Sequence, residues 1–300
     1  MSGTQVADPG KRVALAVLLG PFTALLALVF VVPVLVTIYL SFFSTVYEGT
    51  GFGTARTAFV GLRNFATALG DPAFLSGLGV IALYSAIFIP LALCLGLALA
   101  LLLDSGLAWA RQVSQTVLFL PHAVPGIIAA LIWLYLYTPG LSPVLRALGS
   151  SGLEIELLGG SLLVPAIVNI SLWSAVGYNM VIFYAALKAV PGELLEAAAI
   201  DGAGRVRTAL MIKVPLIRGA VVTIGMFAVI GALQLFTEPM LLSQASPAIG
   251  SRFTPNMYVF DAAFTRNNYG LAAASALVLL VVCCALSYAV VRLTNRGARR

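Results

Sequence analysis

The chain of 300 residues is 61% hydrophobic and only 9% charged, against roughly 45–50% and about 25% in soluble domains. With 28 Gly and 15 Pro dispersed through apolar text, it cannot be a soluble globular domain, a disordered chain or collagen. What is left is an all-α polytopic membrane protein, whose helices tolerate both residues. The net charge of +6 does not point to nucleic acid, because the basic residues distribute by topology.

Taken in chain order, six stretches lack any Asp, Glu, Lys or Arg: 13–47, 72–103, 112–145, 157–187, 219–237 and 267–291. The shortest holds 19 residues, and a spanning helix needs about 20. They are continuously apolar, without the ten-residue alternation of a membrane barrel, so six transmembrane helices are expected. Lys11 and Arg12 precede the first stretch as they would in a signal peptide, but its apolar part far exceeds the usual 7–15 residues, which predicts an uncleaved first helix.

With a cytoplasmic N-terminus, the inner segments carry Lys11, Arg12, Arg111, Lys188, Arg205, Arg207, Lys213, Arg218, Arg292, Arg296, Arg299 and Arg300. The outer ones carry Arg56, Arg63, Arg146, Arg252 and Arg266. The positive-inside bias then puts both termini in the cytoplasm, with Arg300 and Gly192 inside and Gly53 and Gly149 outside. Anionic membrane lipid is a secondary partner for the inner charges. The outer segments 44–77 and 138–160 are rich in Gly, Ser, Pro and Thr, and residues 1–300 read as a single transmembrane domain. Cys94, Cys283 and Cys284 lie in apolar runs and read as lipid- or core-facing residues without disulfide or metal roles.

The inventory of reactive groups is poor. His122 is the only histidine, no Gly-x-Ser-x-Gly elbow occurs, and none of Lys11, Lys188 and Lys213 belongs to a P-loop. No catalytic residue, metal or cofactor site is expected, and any ATP used must be hydrolysed by another chain.

The segment between the fourth and fifth stretches, 189–217, reads as a short capped helix followed by a basic one. Pro191 suits a first helical position, Glu193 and Glu196 complement the positive end of the helix dipole, and Gly202 or Gly204 can end it. Ala197, Ala198 and Ala199 offer a smooth packing surface.

Glu196-Ala197-Ala198, three intervening residues, Gly202, nine more, Ile212, one more, and Val214-Pro215 closely resemble the cytoplasmic EAA loop of binding-protein-dependent ABC importer permeases. Further segments resemble the carbohydrate-uptake branch, of maltose and glycerol-phosphate type. These are Phe59-Val60-Gly61-Leu62-Arg63-Asn64-Phe65, Asp71-Pro72-Ala73-Phe74, Phe119-Leu120-Pro121-His122-Ala123-Val124-Pro125, Gly177-Tyr178-Asn179-Met180 and Tyr269-Gly270-Leu271-Ala272-Ala273-Ala274. Gly79-Val80 stands where the family usually has Asn-Thr, and Leu242-Ser243-Gln244-Ala245-Ser246-Pro247 where it has Leu-Thr-x-Gly-Gly-Pro.

The resemblance implies a type I importer permease in a bacterial inner membrane, coupled to ATP hydrolysis through Glu193, Glu196, Ala197, Ala198, Asp201 and Gly202. It further implies a second and different permease subunit, two cytoplasmic P-loop ATPase subunits holding ATP and Mg²⁺, and an extracytoplasmic solute-binding protein. The solute would be a sugar or sugar-like molecule. A stand-alone secondary transporter is the alternative, but such folds carry internal repeats and intramembrane coupling charges, whereas here only Glu238 stands near a span.

Four polar residues are candidates for the solute pathway. Tyr178 and Asn179 sit midway along 157–187, serving either an interhelical hydrogen bond or sugar recognition. Gln234 and Glu238 are four apart, which on a continuous helix puts them on one face. Glu238 is either in the pathway or interfacial. Trp133 and Trp173 are expected as interface anchors, and His122, with no carboxylate within a helical turn, as a structural hydrogen-bonder.

Overall fold

A computed structural model describes residues 9–47, 55–106, 110–152 and 155–297. Its contacts divide the chain into two units, Met1–Leu69 with Ala262–Val278 and Gly70–Asp261 with Leu279–Arg300. Gly53 and Arg300, two of the topology markers, lie outside the described residues.

In the first unit, α1 (Pro9–Leu26) passes through one π-type turn, Ala27–Val31, into α2 (Val32–Ser41). The wide turn has a local cause: Pro33 has no N–H to return to the Val29 carbonyl. The apolar window within Val17–Ser41 has none of its residues buried, as suits a helix covered by lipid or by another chain. Beyond it, β1 (Phe43–Tyr47) pairs antiparallel with β2 (Ala55–Phe59), Phe43 opposite Phe59 and Tyr47 opposite Ala55. This hairpin is the one departure from an all-helical reading among the described residues, and its aromatic and β-branched content favours strand. Asn64, in α3 (Arg63–Gly70), donates from Nδ2 to the carbonyls of Ser41 (2.8 Å) and Phe43 (2.9 Å), pinning the helix-to-strand junction. A Cβ at Gly270 would strike that same Phe43 carbonyl. The first and last family-like segments thus meet for steric reasons.

In the second unit, α4 (Pro72–Asp104) is capped by Asp71, whose Oδ1 accepts from the Ala73 N–H at 2.9 Å. The third charge-free stretch, expected as a plain span over 112–145, is instead a bent pair. It comprises α5 (Arg111–Phe119) with a 3₁₀ turn, Leu120–Ala123, then α6 (Gly126–Tyr137), the two arms meeting at 93°. Pro125 breaks the helix, holding Val124 extended at φ −76°, ψ 125°. Among the described residues, five helices are thus long and apolar enough to cross a membrane, or six if the bent pair makes one crossing.

α7 (Pro143–Ser150) leads to α8 (Leu163–Lys188), which packs along α4. Ala92, Gly96 and Ala100 recur every four residues there, and a Cβ on Gly96 would come within 2.8 Å of the Asn179 Cβ. Small residues at this spacing allow the close backbone approach on which membrane helix packing depends. Trp133 and Trp173, expected as interface anchors, form an edge-to-face pair 6.0 Å apart, with Trp133 packed against the core that includes Tyr84, Phe88 and Ile167.

The chain continues through α9 (Gly192–Ile200), α10 (Arg205–Thr208), a π-type turn at Ala209–Lys213 and α11 (Val214–Leu216) into α12 (Arg218–Leu233). After α12 come α13 (Thr237–Leu242), α14 (Pro255–Phe260) and α15 (Tyr269–Gly297).

Candidate functional site

The segment expected to engage an ATPase folds by local rules. Pro191 stands at the N-cap of α9, one position earlier than the sequence suggested, and Glu193 occupies the first turn. Gly202 adopts φ +74° and closes the helix: its N–H donates to the Ala199 carbonyl (3.1 Å), and that of Ala203 to the Ala198 carbonyl (2.9 Å). Together these are the paired bonds of a Schellman motif. Glu193, Glu196, Ala197, Asp201 and Gly202 are exposed, whereas Ala198 is buried and anchors the helix inward. Ile200, Val206 and Met211 leave 86%, 72% and 67% of their surfaces uncovered, a grouping of bare apolar side chains that suits a protein interface.

Asp104 plays a part that its sequence position did not reveal. Its carboxylate ends α4 and accepts from Lys188 (2.9 Å), at the end of α8, and from Lys213 (2.5 Å), in the return arm of the 189–217 segment. Lys188 also lies 5.3 Å from the Tyr184 ring centre, and Arg111 donates to the Tyr184 hydroxyl at 3.3 Å. One carboxylate thereby ties two long helices to the loop that joins α8 and α12.

A cavity of about 400 Å³ opens between α4, α8 and α12, with a size typical of small-molecule sites. Tyr178, Asn179, Gln234 and Glu238 all line it. Gln234 and Glu238 do not reach it from one continuous helical face, however. Helix α12 ends at Leu233 and α13 restarts at Thr237, with Phe236 at φ −146°, ψ −53°. Pro239 causes the break, since it lacks an N–H for the Leu235 carbonyl and its ring crowds that oxygen. The freed carbonyls are taken up by side chains from the next segment: Asn256 Nδ2 donates to Leu233 O (2.7 Å) and Thr254 Oγ1 to Leu235 O (3.2 Å). In a bilayer such compensation is what makes a broken helix tolerable.

The two candidate residues of α8, Tyr178 and Asn179, make different contacts. Asn179 is 6% exposed and its amide donates to the Ala92 carbonyl on α4 (3.4 Å), an interhelical bond. Tyr178 stacks on His122, ring centres 4.4 Å apart and 21° from parallel. His122 Nδ1 lies 3.2 Å from the Ser174 carbonyl, which can only accept, so Nδ1 carries the proton. Tyr84 and Phe88 form a second stacked pair on the cavity wall. The sequence offered no signal for Tyr84 and Phe88, because aromatic residues inside a span look like core.

Residues 92–300 match the family described as the binding-protein-dependent transport system inner membrane component. The chain belongs to this family. It is thus a multi-pass permease subunit of an ABC importer in the inner membrane, and not a stand-alone transporter. The diacetylchitobiose uptake system permease protein NgcF of Streptomyces coelicolor is 35% identical to it over 290 residues, 90% of this chain and 80% of that relative. The sulfoquinovosyl glycerol transport system permease protein SmoG of Agrobacterium fabrum is 32% identical over 293 residues, 95% and 92% respectively. The crystal structure of a bacterial ABC transporter involved in the import of the acidic polysaccharide alginate shares the fold. Its TM-score is 0.80 at 19% identity, over 95% of this chain and 98% of that one.

Proposed function

We propose that this permease subunit forms one wall of a saccharide pathway and opens it in response to ATPase subunits that grip the 189–217 segment. One observation carries the reading: that segment joins the two helices, α8 and α12, that line the cavity. Tyr178 stands ten residues before Lys188, about 15 Å along the helix at 1.5 Å per residue. A displacement of α9 therefore moves both cavity walls through rigid levers of that length. Stacked aromatic pairs beside amide, hydroxyl and carboxylate groups suit a sugar, which offers apolar ring faces and a rim of hydroxyls. Relatives named for diacetylchitobiose and sulfoquinovosyl glycerol support the class. A second permease subunit supplies the opposite wall, two P-loop ATPases hold ATP and Mg²⁺, and an extracytoplasmic binding protein delivers the solute.

Glu196→Lys and Gly202→Asp are expected to abolish solute-stimulated ATP hydrolysis while the protein still inserts. Reversing one charge near a helix end is worth only about 0.3–1 kcal/mol, and a side chain at the left-handed Gly202 about 1–2 kcal/mol. A large defect must then arise at the docking surface. Full uptake with normal ATPase association in both variants would refute the docking role.

With both termini cytoplasmic, cysteines placed at 149 and 192 should label asymmetrically in a background lacking Cys94, Cys283 and Cys284. An impermeant thiol reagent is expected to modify position 149 in intact cells and position 192 only after permeabilisation. The reverse pattern would invert the topology.

A further inference from the structure

On the reading of this cavity as the solute pathway, the geometry points to a narrower substrate class. The pathway admits neutral or amine-bearing saccharides and turns away those carrying carboxylate, sulfonate or phosphate groups, with Glu238 as the discriminating residue.

Glu238 is half-buried on the cavity wall, and among the described residues its carboxylate makes no ion pair and no hydrogen bond to another side chain. Among the described residues, no Lys or Arg lines the cavity. Three basic residues are engaged elsewhere: Arg252 faces Asp71 (3.9 Å), and Lys188 and Lys213 hold Asp104. A carboxylate kept without a counter-charge between apolar helices is costly to maintain, so its presence there calls for a functional partner.

The remaining polar side chains on the wall can adapt to such a solute. His122 turns its Nδ1 toward the Ser174 carbonyl, 3.2 Å away. The Glu238 carboxylate presents only acceptors, while Tyr84, Ser171, Ser174, Tyr178, Gln234 and Thr237 can each donate or accept. Such a set matches a solute rich in O–H and N–H donors, namely sugar hydroxyls, acetamido N–H groups or ammonium groups. An anionic group would meet Glu238 in a medium of low dielectric, where like charges repel far more strongly than in water. The stacked pairs Tyr178–His122 and Tyr84–Phe88 would bind the ring faces of charged and uncharged sugars alike, so the discrimination falls to the carboxylate.

The test uses the purified permease–ATPase complex without its solute-binding protein, so that selection by that protein cannot mask the cavity's own. Isothermal titration compares three disaccharide probes: neutral N,N′-diacetylchitobiose, dicationic chitobiose and dianionic digalacturonate. In the wild type, chitobiose and diacetylchitobiose should bind, and digalacturonate about tenfold more weakly or worse. Glu238→Gln should erase the difference by weakening chitobiose and strengthening digalacturonate, with little change for the neutral sugar. Glu238→Asp keeps the charge and should keep the ranking, which separates a charge effect from a disturbed fold. Digalacturonate binding as well as the neutral probe, or an unchanged ranking in an assembled Glu238→Gln complex, overturns the proposal and leaves the pathway reading in place. If none of the three binds the wild type, the pathway reading falls and this inference with it.

Discussion

Replacing Asp104 with Asn should destabilise this permease more than either Glu196→Lys or Gly202→Asp. The carboxylate side chain is 6% exposed and holds Lys213, itself 17% exposed, and Lys188, 49% exposed. Asn fits the same space but carries no charge, leaving two ammonium groups near one another with nothing between them. Breaking a buried pair by removing one partner costs about 3–5 kcal/mol. The Lys188 share is screened by water and is worth about 1 kcal/mol or less. Most of the loss is therefore assigned to Lys213, whose release frees the return arm of the loop from α4. Because α4 carries Tyr84 and Phe88 on the cavity wall, a detached arm should also uncouple transport.

The expected result is a lower thermal midpoint for the purified complex, together with a higher ratio of ATP hydrolysed to solute moved. Lys213→Ala should reproduce both effects, Lys188→Ala neither, and Asp104→Glu should retain most of the coupling. An Asp104→Asn protein with wild-type stability and coupling would remove the clamp from the account, as would a Lys188→Ala defect exceeding that of Lys213→Ala.

Gly177→Ala is the second large effect. A Cβ at this position would run into the Leu118 carbonyl oxygen and come within 3.0 Å of the Phe119 Cα, both backbone atoms. No side-chain rotation relieves such a contact, so either α8 or the bent pair must shift. Overpacking of this kind typically costs about 1–3 kcal/mol. The shift would separate His122 from Tyr178, the next residue after Gly177, so solute binding should fall together with stability. Gly79 on α4 has nothing within 4 Å of an added Cβ, and Gly79→Ala should stay within about 0.5 kcal/mol of the wild type. Thermal unfolding of the two variants side by side checks the contrast, and equal midpoints would mean that α5 and α8 are not held at this distance.

Gly177 and Tyr178 were read from the sequence as part of one family-like stretch, and the structure separates their uses. Gly177 permits the approach of the broken third helix, Tyr178 stacks in the cavity, and Asn179 binds the neighbouring helix. The interhelical hydrogen bond and the aromatic stack in the cavity thus fall on different residues of the Tyr178–Asn179 pair. The same holds for the other polar pair. Gln234 and Glu238 do share the cavity, although the helix expected to align them is interrupted at Pro239.

By itself the sequence determined the membrane class, the charge-free stretches and a capped helix that Gly202 or Gly204 could end. Each of these depends on neighbours along the chain: a charge excluded from hydrocarbon interrupts a run wherever it occurs, and a glycine can take positive φ without help from elsewhere. Tertiary structure alone decided the 93° bend, because its direction depends on what Gly177 lets approach. It also decided that Asp104 would serve Lys213, 109 residues away, and that Glu238 would face a cavity without a cation. Several side chains of suitable charge and reach were available for each of these pairings. Which of them met was set by the packing of α4, α8 and α12, and no periodicity along the chain encodes that.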